Sequence, residues 1–160
     1  FVDALIQVLP DFPDFAAVMT GLCQSKDAAF QQELQGKIDA AGLTDRIVFL
    51  GDLERETVLA CYRRVLLCVA ASRTEGFGLT PLEAMACGTP VAAYPVDGPI
   101  EVLTTNSGQM QGGVLHADLS EATQQALLIP RHIARARAYD FSWQRASQLF
   151  LSYVSKIKTV

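Results

Sequence analysis

Apolar positions recur at helical spacing over the first nine residues (Val2, Leu5, Ile6 and Leu9), and Pro10 ends that run. Phe15-Ala16-Ala17-Val18-Met19 reads as a short buried strand that stops at Thr20-Gly21. Asp27 to Ala41 is an amphipathic helix with Phe30, Leu34 and Ile38 on one face, and Gly42 suits its C-cap. Arg46 to Leu50 is the next strand, closed by Gly51, and Glu54 to Arg64 the next helix. Val65 to Ala70 is almost wholly apolar, the pattern of a strand covered on both faces. Ala71 to Leu79 is a loop. Pro81 to Cys87 is a short helix that Gly88 ends, and Pro90 to Tyr94 is a further strand. Gly98-Pro99 breaks the chain again, and past Val114-Leu115-His116 the pattern turns helical. Ser142 suits the N-cap of a last helix, along which Trp143, Ala146, Leu149, Phe150, Tyr153, Val154 and Ile157 form one stripe. Such a stripe packs either on its own domain or on a partner domain.

Strands alternating with helices through short connections predict an α/β fold. Residues 1–160 form one Rossmann-like domain, a parallel sheet with helices on both faces. In such sheets ligands sit outside the C-terminal ends of the strands. The loops after Met19, Leu50, Ala70 and Tyr94 are therefore the ones that carry chemistry.

Composition narrows the picture. With 160 residues, half of them hydrophobic, the chain has enough apolar side chains for a core of its own. The net charge of -4 argues against a general nucleic-acid surface, though not against a local phosphate pocket. No apolar run approaches the ~20 residues of a membrane span, and no leader pattern is visible. The opening Phe1-Val2-Asp3 suggests a piece of a longer protein. Cys23, Cys61, Cys68 and Cys87 form no C-x-x-C pair, so small buried side chains are expected rather than metal ligands. Reduced thiols fit the cytoplasm. Arg131, His132, Arg135 and Arg137 make a basic run that is either a solvated helix face or a contact for an anionic membrane surface. His116 is expected to be structural.

One loop concentrates the chemistry. It runs from Ala71 to Leu79, and Gly76 and Gly78 bracket Phe77, so the backbone there can take positive φ and approach a ligand. Thr80 suits an N-cap and Pro81 a first helical position. The helix start then offers free N–H groups, and the positive end of its dipole, to an anion such as a pyrophosphate. Glu75 before the helix and Glu83 in its first turn are separated by seven residues, one carboxylate for each end of a diphosphate-linked sugar. Two plainer readings stand beside this: Thr80-x-x-Glu83 is also a capping box, and Glu75 alone is a solvated loop acid.

The string from Glu75 to Val91, with its E-x7-E spacing, resembles the large retaining glycosyltransferase family four. Thr44 to Gly51 resembles the same family, whose fold is the two-domain GT-B type. This chain is then similar to the C-terminal, donor-binding half, and within the family to bacterial lipopolysaccharide-core mannosyltransferases that use GDP-mannose. The resemblance implies transfer of a hexose, mannose in that subfamily, from a nucleotide diphosphate sugar to a glycan or lipid-linked acceptor with retention. Glu75 would face the donor sugar. Gly76, Phe77 and Gly78 would shape the loop, Leu79 and Thr80 would give N–H groups to the diphosphate, and Glu83 would bind the ribose. Phe49, Leu50 and Gly51 would line the base pocket.

No cofactor and no metal are implied, and no Asp-x-Asp pair is present. The partners implied are the donor, the acceptor, an N-terminal domain and, through the acceptor, the inner face of the cytoplasmic membrane; nucleic acid is not among them. The family's first strand, its Arg and Lys, and the acceptor domain would lie upstream, so this piece alone is expected to be inactive. Val96-Asp97-Gly98-Pro99-Ile100-Glu101 stands where the family often has a Gly-Gly loop. The competing functions are an epimerase or phosphorylase on the same architecture, and a binding module without catalysis.

Overall fold

A computed structural model describes residues 1–157, with side chains as far as Val154. The order is α1 (Val2–Val8), β1 (Ala17–Thr20), α2 (Ala28–Ala40), β2 (Ile47–Gly51), α3 (Arg55–Arg64), β3 (Cys68–Ala70), α4 (Leu79–Ala86), β4 (Val91–Ala93), α5 (Asp97–Leu103), β5 (Gly113–Leu115), α6 (Leu119–Ala126), α7 (Arg131–Ala138) and α8 (Trp143–Ile157). Every named strand pair is parallel.

The strands form two half-sheets. β1 pairs with β2, in register from Ala17 opposite Ile47 to Met19 opposite Phe49. β3, β4 and β5 pair in that order, with Cys68 opposite Val91 and Val91 opposite Gly113. The alternation of side chains along β3–β5 sorts residues between two layers. Cys68, Ala70, Val91 and Ala93 join Ala84 and Met85 of α4, Val102 and Leu103 of α5 and Ala134 of α7. Ala92, Val114 and Val69 join Leu119, Ala122 and Ala126 of α6 on the other face. β4, closed on both sides, is buried throughout. α1 spans the two half-sheets. Val2, Leu5 and Leu9 enter the cluster over β1–β2 with Ile38 and Ile47, while Ala4 packs with the α6 cluster.

The β1–β2 pair is covered on one face only. Ala17, Met19, Ile47 and Phe49 point into the α1–α2 cluster, whereas Val18, Val48 and Leu50 are exposed. In α2, Leu34 and Ile38 face that cluster, but Phe30 is exposed. The apolar run at Val65 does not start a strand. Val65 caps α3 by donating its N–H to Cys61 O at 2.9 Å, so β3 begins only at Cys68. Gly98-Pro99 is no break but lies in the first turn of α5, where a proline's missing N–H costs nothing. Of the cysteines Cys68 is buried, and burial pushes its thiol up to about 12; Cys23 is exposed.

The stripe on α8 does not pack on this domain: Trp143 is 86% exposed, and Leu149 and Phe150 are exposed as well. Of Ile157 only the backbone lies within the described residues.

The basic run before α8 is a set of internal braces. Arg131 donates to the carbonyls of Val65 (2.7 Å), Arg63 (3.1 Å) and Cys87 (3.2 Å) and to Thr89 Oγ1. Arg135 donates to Cys87 O. Arg137, 7% exposed, donates to the carbonyls of Val102, Glu101 and Thr104 at 2.7 to 3.0 Å. These guanidiniums therefore sit at the C-terminal ends of α3, α4 and α5, where carbonyls are left over and the helix dipoles favour a cation. Arg131, His132 and Arg135 are exposed, as a solvated face requires, but the two arginines also brace helix ends, and Arg137 is buried. Arg46 braces the turn before β1 in the same way, through the carbonyls of Leu9, Phe12 and Phe15.

Arg137→Met removes the donors from those α5 carbonyls while keeping an apolar stem. It is expected to cost about 2–4 kcal/mol, the usual result of orphaning buried polar groups. The denaturant midpoint measures this; a wild-type midpoint would show that the carbonyls find other donors.

Candidate functional site

The short helix α4 starts at the C-terminal edge of β3, and its start is set by a glycine. Gly78 is the N-cap, with φ 87° and ψ 46°, a left-handed conformation that L side chains avoid. Gly78 alone of the two glycines around Phe77 has positive φ. Leu79 and Thr80 are the first two helical residues and Pro81 the third, so the cap falls two residues before the Thr80 that the sequence suggested. The first intrahelical bond from this end runs from Leu82 N–H to Gly78 O at 3.1 Å. Pro81 has no N–H, so Leu79 and Thr80 carry the free amides. Both residues are exposed, Leu79 by 60%. The N-terminal end of α4 is thus open to solvent and electropositive.

The same shift removes the capping box. With Gly78 as N-cap there is no side-chain cap bond, and Glu83 is the fifth residue of the helix rather than part of its first turn. Its carboxylate instead meets Arg55 of α3, Nη2 to Oε1 at 2.9 Å. Glu75 is half-buried in the loop ahead.

The loop from Glu75 to Gly78 is pressed against the start of α5. Gly98 N–H donates to Glu75 O at 3.1 Å. A Cβ at Gly98 would lie 2.7 Å from both Gly78 N and Phe77 C and 3.0 Å from Glu75 Cγ. From the other side, a Cβ at Gly78 would lie 3.1 Å from Gly98 C. Backbone therefore crosses backbone here, and a side chain fits at neither position. Phe77, still 43% exposed, is held edge-on against Phe141 at 6.2 Å, and Phe141 lies under the Arg137 guanidinium. Earlier in the loop Arg73 stacks over the Tyr94 ring at 5.0 Å, tying the exits of β3 and β4 together.

Of the residues expected in the base pocket, Leu50 is 42% exposed at the end of β2. Phe49 turns its ring into the α1–α2 cluster, leaving its main chain at the strand end. Gly51, with φ 69°, accepts from Gly21 N–H at 2.8 Å, which joins the ends of β1 and β2. The connection out of β2 leads in a few residues to Arg55, and so to Glu83. Tyr62, on the same face of α3, sits half-buried beside α4. Burial first, then the neighbouring Cys68 and Glu83, push its phenol up to about 12, while a hydrogen bond with the Thr80 side chain works the other way.

The sequence pointed to Glu75 through Glu83, and the structure gathers these around one open helix end. It also adds Arg55, Tyr62, Gly98 and Phe141. The sequence signals for Gly98 were the Gly-Pro pair, which reads as a break, and its place in the Val96–Glu101 stretch; nothing local marks the other three.

A family model described as glycosyl transferases group 1 matches residues 2–139. A lipopolysaccharide core biosynthesis mannosyltransferase, LpsB of Rhizobium meliloti, is 44% identical over 118 residues, 74% of this chain and 33% of its own length. LpcC of Rhizobium leguminosarum, described in the same words, is 42% identical over 79% of this chain and 35% of its own. A D-inositol 3-phosphate glycosyltransferase of Mycolicibacterium smegmatis is 31% identical over 96% of this chain and 37% of its own. This chain therefore spans about a third of these relatives. Among solved structures, the C-terminal domain of a group 1 glycosyl transferase from Francisella tularensis superposes with a TM-score of 0.70 at 31% identity, covering 88% of this chain and 74% of that one. Anabaena HepE, in complex with UDP and glucose, gives a TM-score of 0.72 at 26% identity, over 97% of this chain and 43% of its own. By its fold, its motif and the extent of the family match, the chain belongs to the glycosyl transferases group 1 family.

Proposed function

We propose that this domain binds the nucleotide diphosphate sugar of a retaining glycosyltransferase, and that the complete enzyme moves a hexose to a glycan or lipid-linked acceptor. The observation that carries the reading is the open N-terminal end of α4, with its cap at Gly78 and an acid on either side. On this reading the amides of Leu79 and Thr80 hold the diphosphate, and Gly76, Phe77 and Gly78 wrap the sugar end. Glu75 accepts from sugar hydroxyls, Glu83 from the ribose, and Phe49, Leu50 and Gly51 present main chain to the base. Mannose, and GDP-mannose as donor, is the reading favoured by the two Rhizobium relatives, both described as mannosyltransferases. The inositol-phosphate glycosyltransferases match less closely.

The chemistry needs no resident metal or cofactor on this reading. The bond from the anomeric carbon to the diphosphate oxygen breaks, and the acceptor oxygen bonds to the same face of that carbon. The acceptor proton passes to the departing diphosphate. Fixed amides and the α4 dipole stabilise the charge that develops on the leaving group.

The remaining two thirds of such an enzyme supplies the acceptor side and has surfaces here to meet. An upstream strand entering parallel between the open edges of β1 and β3 would join the half-sheets that α1 already spans. The apolar side chains of Trp143, Leu149 and Phe150 on α8 suit an N-terminal domain. A lipid-linked acceptor would bring the enzyme to the inner face of the cytoplasmic membrane, although no helix among the described residues is long and apolar enough to cross one.

Three variants of the full-length protein test these roles. Glu83→Ala is expected to weaken nucleotide binding by about 1–3 kcal/mol, the worth of a charge-assisted bond, and calorimetry with GDP and UDP reads it. Unchanged affinity would reduce Glu83 to a surface acid. Glu75→Gln is expected to lower turnover by about a hundredfold with little change in nucleotide affinity, comparable to losing one transition-state contact; wild-type turnover would remove it from the site. Gly98→Ala, which forces Cβ into the Phe77–Gly78 backbone, is expected to lower turnover and stability together, by about 1–3 kcal/mol in stability. A fully stable and active Gly98→Ala protein would show that the crossing is loose.

A further inference from the structure

Resting on the reading of Glu83 as the ribose acid, we infer that Arg55 is its positioning residue: it holds one carboxylate oxygen so that the other is aimed at the ribose. Arg55 is the first residue of α3, where a cation opposes the dipole of its own helix. Its place is therefore not explained by helix stability. What it meets is Glu83, Nη2 to Oε1 at 2.9 Å, and the contact uses one oxygen of the carboxylate, leaving Oε2 able to accept from a ligand.

The two partners differ in freedom. The Arg55 side chain is 70% exposed and that of Glu83 30%, so the arginine reaches over from the rim to a carboxylate enclosed on its own helix. An ion pair this exposed adds little to folding. Its effect lies in the rotamer of Glu83, which would otherwise sample several directions at an entropic cost to ligand binding.

α3 makes a second tie to the same edge of α4. Arg55, Val58 and Tyr62 lie one and two turns apart on one face. The Tyr62 phenol, neutral at physiological pH, shares a hydrogen bond with the Thr80 side chain and lies close to Glu83. α3 thus presents a cation to Glu83 and a hydroxyl to Thr80, and sets the angle between α4 and the connection leaving β2. That connection follows directly on Phe49, Leu50 and Gly51, the residues read as lining the base, so Arg55 links the base side of the site to the ribose side.

The test measures, in the full-length protein, affinities for GDP and for 2′,3′-dideoxy-GDP, which lacks both ribose hydroxyls. Wild type is expected to prefer GDP. Arg55→Ala is expected to weaken GDP binding by about three- to tenfold, leave dideoxy-GDP binding unchanged and leave the melting temperature unchanged. Arg55→Lys is expected to restore most of the preference. In a Glu83→Gln background, Arg55→Ala is expected to change nothing further. If Glu83→Gln is itself silent, the ribose reading falls and this inference with it. If Glu83→Gln weakens GDP binding but Arg55→Ala does not, the inference alone falls. Equal losses for GDP and dideoxy-GDP on Arg55→Ala, or an equal loss in the Glu83→Gln background, would mean that Arg55 touches the nucleotide directly, and would also overturn it.

Discussion

The geometry of the candidate site depends on two backbones crossing where no side chain fits. Gly98 at the start of α5 lies against Phe77 and Gly78, and its N–H is bonded to Glu75 O. That contact holds the loop down on the domain. Held there, Gly78 adopts a left-handed conformation and α4 begins at Leu79 with its first amides facing solvent. If the crossing were wider, the loop would be free to rearrange and the helix end would lose its fixed direction. Preorganised donors of this kind serve an anionic ligand well, because they need not reorient when charge arrives.

Six arginines of the domain are divided between two tasks. Arg131, Arg135 and Arg137 are committed to leftover carbonyls at the C-terminal ends of α3, α4 and α5, and Arg46 to the turn before β1. At the opposite, N-terminal ends of these helices, Arg55 and Arg73 stand beside the open edge. A diphosphate arriving at α4 would therefore meet backbone amides and a helix dipole more than side-chain cations. On the proposed reading, further positive charge comes from the part of the enzyme outside this chain.

Much of this was legible in the sequence, and the misreadings have physical causes. The alternation of elements, the buried β4 and the approximate start of α4 follow from local hydrophobic period and from glycine placement. The Thr80 cap was two residues late because Thr and Pro have strong local preferences, and only packing against Gly98 shows that Gly78 occupies the cap. The capping box was a sound local reading for Glu83. It failed because the cap falls at Gly78, which leaves Glu83 beyond the first turn, where Arg55, distant in sequence, meets its carboxylate. The solvated face read for the arginine run missed its bracing, because the carbonyls it meets belong to helix ends far along the chain. The single sheet separated into two because nothing among the described residues joins β1 to β3.

By itself, then, the sequence determined the class of fold, and it named the edge of the sheet and the string of residues to inspect. Those are properties of neighbours along the chain: period, turn residues, helix start signals. Tertiary structure decided which glycine caps α4, where Glu83 points, which arginines brace helix ends and which apolar face is left open on α8. Each of these depends on an atom from another element coming within a few ångströms, and no pattern of adjacent residues encodes which atom that will be.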